Sequence, residues 1–392
     1  MLALRFKWAA IEVSTALSTC GGCLDLLANR SPMNYIKPMY RNIYIVSWRG
    51  HVSGGAETLH QLCSTAKSLG AQAYIVYFPL NPDTVDSLPE RFLEYDIEVA
   101  QAIEDAQDCL CIVTEGMAAY FPFSRFRQIR FAFVWLSYDF VSPKTSHRKS
   151  ITHGLPHPHI AWLFFQIKAL LFHPRSCIKE SLRLVPWKRF RSGINFCNCY
   201  YAYRELVRHG VKGPIGRLIG PVSDSFVSPT KSKKEDVVCF GVAKDSGFYK
   251  RILREYEESY PGSVEFISIC GMTKSEVKAM LSRAKVYFDF GFFPGPERIP
   301  REAVLLGCNI VTGKYGAAGN PHDVPIPDKY KFAAPQKNYP QIVMTIHELV
   351  VNYELHFPEY NEYRRLAIAQ VDSFIGDVSR LLQGNPVAYE PL

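Results

Sequence analysis

Arg298, Arg301, Glu302 and Lys314 fall within one stretch of the chain, and Gly291, Gly295, Gly307, Gly313, Gly316 and Gly319 are threaded among them. Arginine and lysine supply positive charge for phosphate, and glycine lets backbone N–H groups approach an anion closely. Glu302 adds an acceptor that could hold a ribose or sugar hydroxyl. Together these residue types suit a phosphorylated, hydroxyl-rich ligand. The plainer alternative is that Arg298 and Arg301 are surface charges on an ordinary βαβ unit.

Proton transfer needs a different set. Glu115 and Asp139 follow apolar runs, Cys109–Thr114 and Phe131–Ser137, so each stands at a strand end where a general base could act. His51, in a loop with Gly50, Gly54 and Gly55, is a third candidate. Acids at strand ends also commonly do no more than cap loops. Cys20 and Cys23 have metal or redox spacing, but no second pair lies nearby.

These residues need elements to position them. Val286–Phe290 is a short apolar, aromatic run that reads as a buried strand, and Pro294-Gly295-Pro296 forces a loop after it. Pro300 suits a first helical turn, so a short helix is expected over Arg301–Leu306, stopped by Gly307. Asn309–Thr312 is the next strand, and this succession is half of an α/β nucleotide-binding unit with both loops at one sheet edge.

A second such unit lies near the start. Asn42–Ser47 reads as a strand, Trp48–Gly55 as a glycine loop, Ala56–Leu69 as an amphipathic helix and Ala73–Tyr77 as a strand. Asn195–Tyr203 reads as another strand, running toward a short helix. Asp236–Phe240 and Val264–Ile269 are strands of a second domain, and Thr273 with Glu276 has capping-box spacing.

The segment from Arg301-Glu302-Ala303 through Gly307, an apolar strand and Gly313 to Gly319 resembles the donor-site segment of GT-B-fold glycosyltransferases. In that group a Glu opening a short helix binds the sugar nucleotide. Many members carry another Glu eight residues earlier, where this chain has Pro294. The resemblance implies two Rossmann-like domains facing a cleft, and a glycosyl transfer from a nucleotide-sugar donor. It also implies that the Gly54-Gly55 loop lies against the cleft, and that Lys244 reaches the diphosphate from the first loop of the second domain.

No Asp-X-Asp pair stands at a strand end, so a metal-free reaction without a separate cofactor is expected, with Lys244, Arg298, Arg301 and Lys314 neutralising the leaving group. Proteins with these loops often occur in bacterial surface-polysaccharide assembly, which implies a glycan or lipid-linked acceptor. A sugar-nucleotide epimerase of the same fold, and an inactive module that binds a nucleotide or glycan, are the alternatives.

The 392 residues, 47% apolar and 13% aromatic, are enough for two domains with real cores and argue against disorder. The division expected is an uncertain extension over 1–40, an acceptor-side domain over 41–227, a nucleotide-sugar domain over 236–340 and cross-packing helices over 341–383. Met33 and Met39 are equally sensible starts. No apolar run reaches the roughly eighteen residues of a membrane span. The eleven cysteines, odd in number and irregularly spaced, suit a cytosol.

Charge is unevenly spread: between Val141 and Ser192, ten Lys or Arg residues face one acid, Glu180, which accounts for the whole net charge of +8. The apolar run Ile160–Phe172 lies inside this segment. A core helix beside a solvated basic face is one reading. A helix lying on an anionic membrane surface through residues 142–192, on the inner face of the plasma membrane, is the other. No nucleic-acid motif accompanies the charge.

Overall fold

The computed structural model describes residues 38–81, 85–141, 185–227, 232–241, 246–384 and 389–390, together with Ile160, Leu163, Phe164 and Ile167. The expected N-terminal extension with Cys20 and Cys23, Lys244, and most of the basic segment over 142–192 lie outside the described residues.

The first half alternates strand and helix. β1 (Asn42–Trp48) leads into α1 (Gly54–Ser68), then β2 (Gln72–Phe78), β3 (Glu98–Val99), β4 (Cys109–Thr114), β5 (Arg130–Trp135), β6 (Ile194–Cys197), α2 (Tyr200–Arg208) and β7 (Ile215–Arg217). All pair in parallel, in the order β3-β2-β1-β4-β5-β6-β7. A parallel sheet covered on both faces needs continuously apolar strands, and β4, fully buried along its length, is such a strand. The strand order reverses between β1 and β4, which opens a crevice at their carboxyl ends.

The second half repeats the scheme. β8 (Glu235–Phe240), α3 (Ser246–Ser259), β9 (Glu265–Ser268), α4 (Lys274–Arg283), β10 (Ala284–Asp289), α5 (Arg298–Leu305), β11 (Asn309–Gly313) and β12 (Lys331–Phe332) give a parallel sheet of order β12-β11-β10-β8-β9. Its reversal lies between β8 and β10. Two helices follow, α6 (Tyr339–Val351) and α7 (Asn361–Leu382). The architecture is thus α/β, with two Rossmann-like sheets.

Two local expectations change. α5 begins at Arg298, before Pro300, because a proline within the first turn has no intrahelical N–H bond to lose. The Asn195–Tyr203 run is a strand only to Cys197. Its tyrosines enter α2 instead, because Cys199 Sγ accepts from the Ala202 N–H and a carboxylate from the other half, Asp323, takes the Tyr200 and Tyr201 N–H groups at 2.7 and 2.9 Å. The Thr273–Glu276 capping box forms with both its bonds.

The halves interlock at one end. Phe293, Ala317 and Ala318 of the second half are buried in the core of the first, beside Cys197, Cys199 and Ala202. α7 crosses back as well: Phe374, Val378, Leu381 and Leu382 pack with Ile43, Ile45, Leu59 and Leu62. The described residues hold together as one unit.

Candidate active site

The carboxyl ends of β1, β4 and β10 surround a cavity of about 1050 Å³. All three strands border a point of order reversal, which is where such sheets leave room for a ligand. From the first half, Trp48, His51, Gly54, Gly55, Glu57, Glu115, Tyr120 and Phe140 contribute to the wall. From the second come Tyr249, Asp289, Glu297, Arg298 and Arg301.

α1 presents its N-terminus here. Ser53 Oγ accepts from the Ala56 N–H at 3.2 Å, which caps the helix. A Cβ on Gly54 or Gly55 would meet no atom closer than 3.5 Å. Packing does not demand these glycines; they leave the first turn of α1 open to the cavity.

Glu57 lies in that turn with no exposed side-chain surface. Lys274 Nζ approaches its Oε1 at 2.8 Å, Arg298 Nη1 at 3.0 Å and the Tyr95 hydroxyl at 3.0 Å, while Arg91 donates to Oε2 at 3.2 Å. Burial pushes this carboxyl up, but Arg298 and Lys274 outweigh it and hold it at about 2. Arg298 Nη1 is close enough for charge attraction yet has no directed hydrogen bond, and Nη2 donates to Gln61 at 3.3 Å. The pair bridges the two halves.

Arg301 also reaches the wall but is buried. Nη1 donates to the Gly220 carbonyl and to Gln370 of α7, both at 2.9 Å, and Nη2 to the Pro296 carbonyl at 3.2 Å. Burial lowers it to about 10. Its donors clip the loop before α5 to the first half and to α7, a role that sequence spacing cannot display.

Glu115 accepts from the Leu136 and Ser137 N–H groups at 2.9 Å each. Burial nevertheless raises it to about 7, against those two bonds. His51 is exposed at the rim, with no hydrogen bond to its ring among the described residues.

Four expected site residues are not part of this wall. Asp139 is buried and accepts from the Tyr201 hydroxyl at 3.1 and 3.2 Å. Glu302 is buried in α5, and burial raises its pKa. Lys314 pairs with Asp328 at 2.6 Å, outside the cavity. Gly316 has φ +57°, and a Cβ there would stand 1.9 Å from the Phe293 carbonyl oxygen, so its close approach serves the interlock between halves, not a phosphate. The structure thus brings Gly54, Gly55, His51, Glu115, Arg298 and Arg301 together around one space.

Three acids of the wall were not expected: Glu57, Asp289 and Glu297. Glu57 sits two residues after the Gly54-Gly55 pair, at the first turn of a helix, where an acid is favourable. That signal was available in the sequence.

Neither a protein-family model nor a curated protein sequence matches the chain. Among solved structures it is similar to HepE of Anabaena, determined with UDP-glucose, at a TM-score of 0.50 and 12% identity over 87% of this chain and 99% of that one. It is also similar to UGT71G1 of Medicago truncatula, determined with UDP-glucose, at a TM-score of 0.49 and 12% identity over 88% and 98%. TarM of S. aureus gives 0.48 and 12% over 71% of this chain, which spans 56% of TarM's length. The chain therefore has the GT-B fold. At these identities the likeness speaks to fold, and the activity has to be argued from the cavity.

Proposed function

We propose that the protein transfers a sugar from a nucleotide-sugar donor to a hydroxyl of a glycan or lipid-linked acceptor, in surface-polysaccharide assembly. One observation supports this above others: the open first turn of α1, with Gly54 and Gly55, and Arg298 at the start of α5 border the same cavity, one from each half. The donor diphosphate lies against Arg298 and the N-terminus of α5, where cation and helix dipole both favour negative charge. The acceptor lies against the first half, where Trp48, Tyr120 and Phe140 offer flat apolar faces.

In the reaction the bond from the anomeric carbon to the diphosphate oxygen breaks and a bond to the acceptor oxygen forms. The acceptor proton goes to His51, whose ring is unengaged among the described residues, and the diphosphate leaves with its charge stabilised by side chains and N–H groups without a metal ion. The test is a panel of UDP-, GDP- and CMP-sugars, assayed for transfer, hydrolysis and epimerised donor. Turnover that Arg298→Ala lowers at least tenfold supports the reading. Epimerised donor without transfer would favour the epimerase, and binding without turnover the inactive module.

A membrane location on the cytoplasmic face is a second part of the proposal. Ile160, Leu163, Phe164 and Ile167 are helical and between 52% and 72% exposed, at the spacing of one helix face. Among the described residues no helix is long and apolar enough to cross a membrane. An exposed apolar stripe within a strongly basic segment suits an anionic lipid surface. Co-sedimentation with phosphatidylglycerol vesicles, weakened by salt, is expected; equal binding to neutral vesicles, or none, would reject it.

A further inference from the structure

Two carboxyl groups of the second half share the cavity wall, and their surroundings differ. Asp289 ends β10. Its Oδ1 accepts from the Gly291 N–H at 2.7 Å and the Tyr249 hydroxyl at 3.4 Å, and its Oδ2 from the Tyr287 hydroxyl at 3.0 Å. Donors thus engage both of its oxygens.

Glu297 is the residue before α5. At that position a side chain ordinarily turns back onto the free N–H groups of the helix, and that of Glu297 does not. Its carboxyl makes no hydrogen bond or ion pair within the described residues, yet it borders the cavity. Glu297 is half-buried and not sealed into the core, so its carboxyl is open to a ligand in the cavity. Pro294, where an acid would have been expected, leaves Glu297 as the one acid of the Phe292–Arg298 loop.

We infer that Glu297 is a ligand-recognising carboxyl of this cleft, donating a hydrogen bond to a phosphate oxygen of the bound nucleotide sugar. The inference rests on the glycosyl-transfer reading. The proton it requires has a physical source. Burial first, and then the Asp289 charge, push Glu297 up to about 7, against the pull of Arg301. The charged and titratable groups around it are Asp289 and Tyr287 on β10, Arg298 and Arg301 on α5, and Tyr363 on α7. When two carboxyls crowd together, the hydrogen-bonded one keeps the charge and the other keeps the proton. A neutral acid can donate to phosphate at the uncapped start of α5. An ionised one beside Asp289 would repel it.

The test is calorimetric titration with UDP-glucose and GDP-mannose at pH 6 and pH 8; the diester phosphates of both probes stay ionised throughout. With Glu297 titrating near 7, affinity of the parent protein for the bound probe should fall on the order of tenfold over that range. Glu297→Gln, which retains an N–H donor and cannot ionise, should bind as tightly as the parent at pH 6 and lose the tenfold fall. Glu297→Ala should bind weakly at both. Thermal melting of each variant checks the fold. A full pH dependence surviving in Glu297→Gln, or parental affinity in Glu297→Ala at pH 6, would overturn this inference alone. Absence of binding to either probe at both pH values would overturn the glycosyl-transfer reading for these donors, and this inference with it.

Discussion

The first half's wall of the cavity carries Glu57 and Glu115, and the second half's carries Asp289 and Glu297. Glu57, Glu115 and Asp289 are tied down, by cations, by backbone N–H groups and by hydroxyls respectively. Of the four, Glu297 has no hydrogen-bond or ion-pair partner among the described residues. Glu115 and Glu297 are both pushed up to about 7 by burial, so titration does not separate them. Hydrogen bonding does. A perturbed carboxyl whose acceptor sites are already taken by a loop holds that loop, whereas one left open is available to a ligand.

The contrast can be broken by mutation, and the largest effect should come from Glu57→Gln. It leaves Arg298, Lys274 and Arg91 facing one another without their shared anion. Because Lys274 and Arg91 keep a third or more of their surface, the cost should be about 2–4 kcal/mol, read from denaturant midpoints. Glu57 also sets an acid limit. Its folded value lies below the unfolded one, so its contribution is present above about pH 4.5 and fades as pH falls toward 2. The Gln variant should lack that part of the acid sensitivity.

Glu115→Ala comes next. It strands the Leu136 and Ser137 N–H groups in the interior and should destabilise by about 2–3 kcal/mol, with an unchanged denaturant slope. No loss of stability would erase the distinction drawn between the two walls. Asp323→Asn removes the charge that caps α2 from across the halves and should cost about 1–2 kcal/mol by the same measurement. Glu297→Gln breaks no bond seen among the described residues and should shift stability by less than about 0.5 kcal/mol, measured near pH 4, where the carboxyl is mostly protonated both folded and unfolded. A loss comparable to that of Glu115→Ala would mean Glu297 is also a structural clamp.

The sequence shows the frame of the site more clearly than its wiring. Gly54-Gly55 before an amphipathic helix, and Arg298 before Pro300, are local patterns, and both reach the cavity. Arg301 and Arg298 lie three residues apart and look alike in the sequence. What separates them is Gly220 and Gln370, distant in the chain, which capture Arg301. Gly316 reads like a phosphate-loop glycine because close backbone approach is its purpose, but the approaching group is the Phe293 carbonyl. Glu297, flanked by Pro296 and Arg298, reads as an ordinary loop acid. Only the fold sets it beside Asp289.

The helix that crosses back has a consequence for biosynthesis. Leu381 and Leu382 cover apolar residues of the opening strand β1 and helix α1, although 165 residues separate the end of β7 at Arg217 from Leu382. At about 5–20 residues per second, a ribosome would leave that surface uncovered for roughly ten to thirty seconds. During that interval the nascent N-terminal sheet is a client for chaperones, and truncating the gene before codon 374 should yield an insoluble product, not a smaller folded one.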